Sequence, residues 1–284
     1  IYSNSLQNKK IANLYLNNSV PMMNPLSNDM AFLRTSLIPG LVKAAEHNIN
    51  NSSYSFKLYE LGSVHTQTGN NIDNISENVR LSGLIFGDEH DKSVHTDKTS
   101  YNIFSLKGYL YTLLHEKFHY NMSIKETKNK FFDQAYNIII ENESIGTFGK
   151  LSSNLFRSLK IDRCDIYCFD IDIDMIINES KPIRYLPVNL FPKISRRINL
   201  VMNSSDSVGP IQEVIEEKGG KNLISVSPVE IFEDEKNIGE NKKSITYEMV
   251  FQDREKTLED KDVNPIIDEI IDIAKKNFNA KLRA

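Results

Sequence analysis

The run R-I-N-L-V-M at residues 197–202, followed by N-S-S-D-S at 203–207, sets the reading of the C-terminal third of the chain. It is a β-like apolar stretch stopped by a polar cluster. Asp206 or Ser207 then stands where a helix wants its N-cap, and Ile211, Val214 and Ile215 share one helical face. Gly219-Gly220 ends that helix. Residues 222–232 (N-L-I-S-V-S-P-V-E-I-F) read as a strand, with Pro228 marking an edge or a bulge. Residues 233–241 are polar and read as a hairpin loop, and 244–251 (S-I-T-Y-E-M-V-F) alternate as a paired strand. After T-L-E-D at 257–260, Val263, Ile266, Ile267, Ile270, Ile271 and Ala274 form the stripe of a second helix. Lys275 and Lys276 sit at its C-terminus, where the helix dipole favours cations. Residues 280–283 make a last short strand. The order β-α-β-β-α-β predicts a ferredoxin-like domain, an antiparallel sheet with both helices on one face.

Working outward, residues 180–192 (S-K-P-I-R-Y-L-P-V-N-L-F-P) hold three prolines, which exclude a helix and disfavour an inner strand. The expected organisation is a module over 1–185, a Pro-rich linker over 186–192 and the ferredoxin-like domain over 193–284. In the first module, residues 30–46 read as a helix that Pro39-Gly40 breaks or kinks. Residues 104–118 read as a helix with Leu106, Leu110, Leu113 and Leu114 inward. Strands are expected at 56–64, 79–87, 137–141 and 166–173. Together these predict an α+β domain around an antiparallel sheet.

The 284 residues include 34 Lys+Arg and 38 Asp+Glu, a net charge of −4, with 40% hydrophobic and 25% charged residues. That composition is globular, and no apolar run approaches the ~18 residues a membrane span requires. Basic residues do not collect in either part: 19 against 20 acidic in 1–190, and 15 against 18 in 191–284. Any RNA contact therefore rests on local groups rather than a global basic field. No DNA or membrane partner is expected. No signal-peptide pattern opens the chain, and it lacks an initiator Met, as a piece of a longer protein would. Two cysteines cannot build a disulfide framework, which suggests a reducing, cytoplasmic setting.

Two constellations invite a metal. His115-Glu-Lys-Phe-His119 is a literal H-E-x-x-H, the helical zinc signature with Glu116 as base. Its context is poor, because no third histidine follows and Y-N-M-S at 120–123 suggests that the helix ends there. Asp170, Asp172 and Asp174 alternate along one strand. An EF-hand is excluded by Met175 and Lys181 at its sixth and twelfth positions, and the simpler reading is aspartates outward with Phe169, Ile171 and Ile173 inward. Cys164 and Cys168 have neither thioredoxin nor zinc-knuckle spacing and read as buried thiols. No glycine-rich phosphate loop is present.

Two sets of motifs resemble a known family. The first is M-N-P-L-S-N-D-M at 23–30, F-L-R-T-S-L-I-P-G-L at 32–41 and K-L-Y-E-L-G-S-V at 57–64. The second runs from F-P-K-I-S-R-R-I at 191–198 through Lys243-Ser244 and Thr257-Leu258 to A-K-L-R at 280–283. F-S-L-K-G at 104–108 and I-G-T-F-G at 145–149 fall between them in the right order. The chain resembles the C-terminal part of the bacterial phenylalanyl-tRNA synthetase β subunit over essentially its whole length.

The resemblance implies a class II synthetase-like module without chemistry, followed by a ferredoxin-fold anticodon-binding domain. The guanidinium that holds the ATP α-phosphate in class II sites would fall near Thr66, and no glycine-rich motif 3 follows. ATP and Mg would then be used by the whole enzyme, with no cofactor in this fragment. The implied partners are a catalytic α subunit and tRNA-Phe. The α subunit is expected on a stripe of Leu33, Leu37, Ile38 and Leu41. The first anticodon base is expected at Glu230, Phe232, Ser244 and Arg283, with Arg196, Arg197, Lys242 and Lys243 as candidate contacts to the RNA backbone. Here Glu230 stands for the family's Asp, Phe232 for its Tyr, and Arg196-Arg197 for its Arg-Asp. Two other functions compete: a zinc hydrolase on His115, Glu116 and His119, and a ferredoxin-like regulatory module for a small metabolite.

Overall fold

The computed structural model describes residues 1–13, 18–69, 74–153, 165–177, 187–234 and 238–283. It divides into two units, Ile1–Arg184 and Tyr185–Ala284. In the first unit the elements are β1 (Leu6–Gln7), α1 (Lys9–Ala12), β2 (Phe32–Leu33), α2 (Ile38–Asn50), β3 (Phe56–Gln67), β4 (Ile75–Phe86), β5 (Asp88–His90), β6 (Thr99–Ser100), α3 (Ile103–Tyr111), β7 (Ser123–Thr127), β8 (Phe132–Ile140), β9 (Glu143–Leu151), β10 (Ile166–Asp172) and α4 (Asp174–Ile177). Six of the strands form an antiparallel sheet in the order β3-β4-β10-β9-β8-β7. Successive side chains leave its opposite faces. Leu84 and Cys168 pack with Ile38, Leu41, Val42 and Ala45 of α2, while Ile85 and Tyr167 pack with Leu106 and Leu110 of α3.

Several sequence expectations change here for physical reasons. The first long helix begins at Ile38, with Pro39 in its first turn. A proline there has no N–H to waste and a preset φ, so it starts the helix instead of kinking it. The stripe expected to face a partner is internal: Leu37, Ile38 and Leu41 are buried within the chain, and only Leu33, on β2 ahead of the helix, is half-exposed. β7 and β9 were not expected as strands. In β9, a Cβ on Gly146 would lie 2.1 Å from the Asp170 carbonyl oxygen, and one on Gly149 2.1 Å from that of Gln134. The neighbouring strands approach too closely for any side chain, which is why glycine stands at both positions inside the strand. β8 and β9 join through Glu141-Asn142, both at positive φ (50° and 72°), the two-residue turn whose twist suits a hairpin.

The aspartates of β10 are not outward. Asp170 and Asp172 are buried, because β10 is an inner strand. Arg80 reaches both, at 2.8 Å and 3.4 Å, and the Ser82 hydroxyl donates to Asp170. The Asp174 carboxylate accepts from the Val79 N–H at 3.2 Å.

The edge strand β3 is closed by other parts of the same unit. The Ile1 nitrogen lies 2.8 Å from the Tyr59 carbonyl oxygen. The His65 and Gln67 N–H groups donate to Arg34 and Asn18 carbonyls, and Arg34 Nε donates to the Ser63 carbonyl at 2.9 Å. A long bare edge would template pairing with other chains, and these contacts remove that template. Arg34 also pairs with Glu60 at 2.7 Å with both side chains buried, and the Ser3 N–H donates to the same carboxylate at 3.0 Å.

The second unit runs β11 (Ile194–Asn203), α5 (Gly209–Gly219), β12 (Leu223–Phe232), β13 (Lys242–Phe251), α6 (Asp260–Phe278) and β14 (Lys281–Leu282), with sheet order β12-β13-β11-β14. This is the expected β-α-β-β-α-β plan. Ile198, Leu200 and Met202 of β11 and Ile245, Tyr247, Met249 and Phe251 of β13 pack with Ile211, Ile215, Val263, Ile270 and Ala274 of the two helices. Neither Asp206 nor Ser207 caps α5: it starts from Val208 without a side-chain cap, and Pro210 sits in its first turn. α6 is held by a reciprocal Glu259/Asp262 capping box and ends at Asn279 in the left-handed conformation. The expected irregularity at Pro228 is a register shift between Pro228 and Glu230 on the edge strand β12. Residues 235–237 of the hairpin loop, residues 178–186 of the Pro-rich segment, and Cys164 lie outside the described residues.

The Arg34–Glu60 pair sets a stability test for the first unit. Burial works to raise the Glu60 carboxyl, but the Ser3 hydrogen bonds and the Arg34 guanidinium together hold it below its ordinary 4.5. A depressed carboxylate stabilises the fold above its unfolded pKa, and that contribution is lost as pH falls through the lower folded value. Arg34→Met is expected to cost about 3–5 kcal/mol, because it strands a buried carboxylate. Arg34→Met/Glu60→Leu should recover much of that loss. Urea denaturation of the three proteins at pH 7 and in acid checks both expectations, and the wild-type advantage over the double variant should shrink in acid.

Candidate nucleic-acid interface

Both helices of the second unit pack on one side of its sheet, so the alternate residues of each strand form a face without helices. Register across the strands places these residues in rows. Phe232 pairs with Ser244, Ser244 with Val201, and Val201 with Lys281. Next to that row, Glu230 pairs with Thr246 and Thr246 with Asn199, while the Arg283 N–H donates to the Asn199 carbonyl at 2.8 Å. Glu230, Phe232, Ser244 and Arg283 are thus brought together by two adjacent rows of one face, although 53 positions separate the first from the last.

Phe232 and Arg283 leave strands at opposite edges of the sheet, three strand spacings or about 14 Å apart. Their side chains nevertheless meet: the guanidinium carbon lies 4.7 Å from the ring centroid. This cation–π stack spans the middle strands, and Ser244 between them is only 3% exposed. Its hydroxyl is buried in the free chain. Glu230 stays exposed beside it.

The four candidate backbone contacts separate into two kinds. Arg196 points to the helix side and binds Asp260 at the start of α6. Lys243 Nζ donates to the Ser204 and Asp206 carbonyls at 2.9 Å and 2.5 Å, holding the turn after β11. Both are committed to the fold, because their strand positions share the helix-facing side. Arg197 is on the open face, exposed, and pairs with Glu248 at 2.8 Å. Arg197, and then the Ser195 hydroxyl, hold the Glu248 carboxyl below its ordinary value. Lys242 is half-buried opposite Asn203. Asn199 and Thr246, which no local motif singles out, complete the row between Glu230 and Arg283. Only strand register reveals them.

The first unit offers less. Thr66, near the expected phosphate-binding guanidinium, is a β3 residue paired with Ser76. The described guanidinium groups of this unit, Arg34 and Arg80, are bound to Glu60 and to Asp170 and Asp172. The H-E-x-x-H segment is not one regular helical turn. Thr112–Lys117 forms a wider π turn, and His119 follows at φ 61°. His115 stacks on Tyr111, with ring centroids 5.1 Å apart. The two histidines do not share a helical face. Among the described residues, no helix is long and apolar enough to cross a membrane.

A helix-covered antiparallel sheet bearing an acid, an aromatic ring, a hydroxyl and a guanidinium on its bare face is a platform of the kind that reads an unpaired base. Two family models match the chain. Residues 1–173 match the phenylalanyl tRNA synthetase beta chain CLM domain, and residues 189–283 match the ferredoxin-fold anticodon binding domain. The chain belongs to the phenylalanyl-tRNA synthetase β chain family. It is 30% identical over 272 residues to the phenylalanine–tRNA ligase beta subunit of Listeria monocytogenes serotype 4b, covering 93% of this chain and 33% of that one. The corresponding subunit of Coxiella burnetii is 29% identical over 269 residues, covering 94% of this chain and 33% of its own. The chain spans about a third of the length of these relatives.

The stack between Phe232 and Arg283 carries its own test. A double-mutant cycle of Phe232→Ala and Arg283→Ala in urea denaturation should give a coupling of about 0.5–1 kcal/mol. Additive single effects would mean that the two groups do not interact in solution.

Proposed function

We propose that the chain is a β-subunit portion of a phenylalanine–tRNA ligase. Its second unit binds the anticodon region of tRNA-Phe, and its first unit packs against a catalytic α subunit. The observation that carries this reading is the convergence of Glu230, Phe232, Ser244 and Arg283 on the helix-free face. A base stacking on Phe232 gains roughly 1–3 kcal/mol, against about 0.5–1 kcal/mol for an exposed cation–π contact. A nucleotide therefore wins the competition with Arg283, which swings aside or covers the base from above. Glu230 accepts hydrogen bonds from a guanine edge, and the opened stack frees the Ser244 hydroxyl. The freed guanidinium meets the base or a phosphate.

Aminoacylation with ATP and Mg belongs, in this reading, to the whole assembly. The fragment's own part is structural. Its contact with the α subunit lies outside the buried Leu37, Ile38 and Leu41; Tyr59 and Leu61 on β3 are exposed apolar side chains available for it. The zinc hydrolase finds no support in a histidine pair split between a π turn and a left-handed residue. Nothing in the family match favours a metabolite-binding regulator. The reading also assigns the enzyme to the cytoplasm.

Two outcomes are expected. Phe232→Ala and Arg283→Ala should each weaken binding of tRNA-Phe by the full chain about tenfold in filter binding, with far-UV circular dichroism unchanged; wild-type affinity in both would contradict the anticodon placement. The chain without its α subunit should show no saturable ATP binding by calorimetry at up to millimolar nucleotide, since Thr66 offers no charge to a phosphate. Stoichiometric micromolar binding would contradict it.

A further inference from the structure

We propose that Asn199 is a specificity-determining residue that reads the edge of the base held at Phe232, with Thr246 beside it. This rests on the anticodon reading above and adds residues to it that no sequence motif marked. The row Glu230, Thr246, Asn199, Arg283 crosses the open face without interruption. Its two ends are charged, and its two middle side chains are a hydroxyl and a carboxamide. Asn199 is exposed and Thr246 half-exposed.

The rows next to it do not supply the same chemistry, and the other carboxamide on β11's open side, Asn203, lies at the far end of the strand and donates to Asp206 at 3.0 Å. On one side lies the row of Phe232, Ser244, Val201 and Lys281, whose middle positions are a buried hydroxyl and an apolar side chain. On the other side, Ser227, Glu248 and Arg197 form a row in which the two charges neutralise each other. Asn199 is thus the one carboxamide in the three rows. A carboxamide presents a donor and an acceptor together and can make a paired contact with a base edge. Glu230 only accepts when ionised, and Arg283 only donates. Asn199 lies between them in register, so the row presents acceptor, hydroxyl, amide and guanidinium in that order. When Arg283 leaves Phe232, its movement opens the space above Asn199 and Thr246, because the guanidinium crosses those strands to reach the ring.

The test compares the full wild-type chain with Asn199→Ala, Thr246→Val and Phe232→Ala. Each is titrated with tRNA-Phe and with a tRNA-Phe carrying a substituted first anticodon base. Asn199 is exposed, so its removal should leave the urea midpoint unchanged. Asn199→Ala is expected to reduce the wild-type preference between the two tRNAs about tenfold, while retaining most of the affinity that Phe232→Ala loses. Asn199→Asp, which keeps the shape and removes the donor, should shift the preference as well. Wild-type preference in Asn199→Ala and Asn199→Asp, with affinity lost in Phe232→Ala, would overturn the inference and leave the anticodon reading standing. Unchanged affinity and preference in Phe232→Ala would overturn both.

Discussion

In the second unit everything follows from the two-residue period of a strand and from which side the helices take. α5 and α6 cover one face of the four-stranded sheet, and Ile198, Leu200, Met202, Ile245, Tyr247, Met249 and Phe251 are spent on that contact. The intervening residues do not pack against the helices. Their identities can be chosen for a ligand, and the sheet holds their backbones at fixed spacing. The same parity decides the fate of the basic residues. Arg197 is turned to the open face. Its neighbour Arg196 is turned to Asp260, and Lys243 is turned to the carbonyls after β11. A one-residue slip in register would exchange these roles entirely.

This arrangement suits a protein whose net charge is −4. A sequence-tolerant RNA binder neutralises many phosphates and depends steeply on salt. Here few cations face the open side, and one of them, Arg197, is already neutralised by Glu248. Recognition in this account depends on stacking and on base-edge hydrogen bonds, with only a small phosphate component. Its dependence on salt should be correspondingly shallow. The Phe232–Arg283 stack adds a modest threshold: in the free chain the ring is covered, so an apolar aromatic is not left bare to water.

The ferredoxin-like plan was legible because each element announces itself locally: an apolar run, a polar stop, a 3–4-spaced stripe and a Gly-Gly end. Pro228 even located the register shift. The first unit was less legible because its signals depend on neighbours. β9 gave no strand signal of its own, because its Gly146 and Gly149 are explained only by the carbonyls of Asp170 and Gln134 that lie against them. Asp170 and Asp172 look solvent-facing until β10 is known to be an inner strand and Arg80 is seen beside them. The stripe from Leu33 to Leu41 reads as one helical face only if Pro39 lies inside a helix, and it begins one. In the site, Glu230, Phe232, Ser244 and Arg283, the residues the resemblance implied, do lie together on one face. Asn199 and Thr246 were not legible, because cross-strand register is invisible to any single strand.

If the helix-free face of the second unit receives the anticodon, binding must register on its strands. Amide and side-chain NMR of the full chain, titrated with an isolated tRNA-Phe anticodon stem-loop, addresses it directly. The account predicts that perturbations concentrate on β12, β13 and the C-terminal strand, with the Phe232 ring and the Arg283 guanidinium among the largest. Perturbations confined to α5 and α6, or absent from Phe232 and Arg283 at saturation, would contradict it.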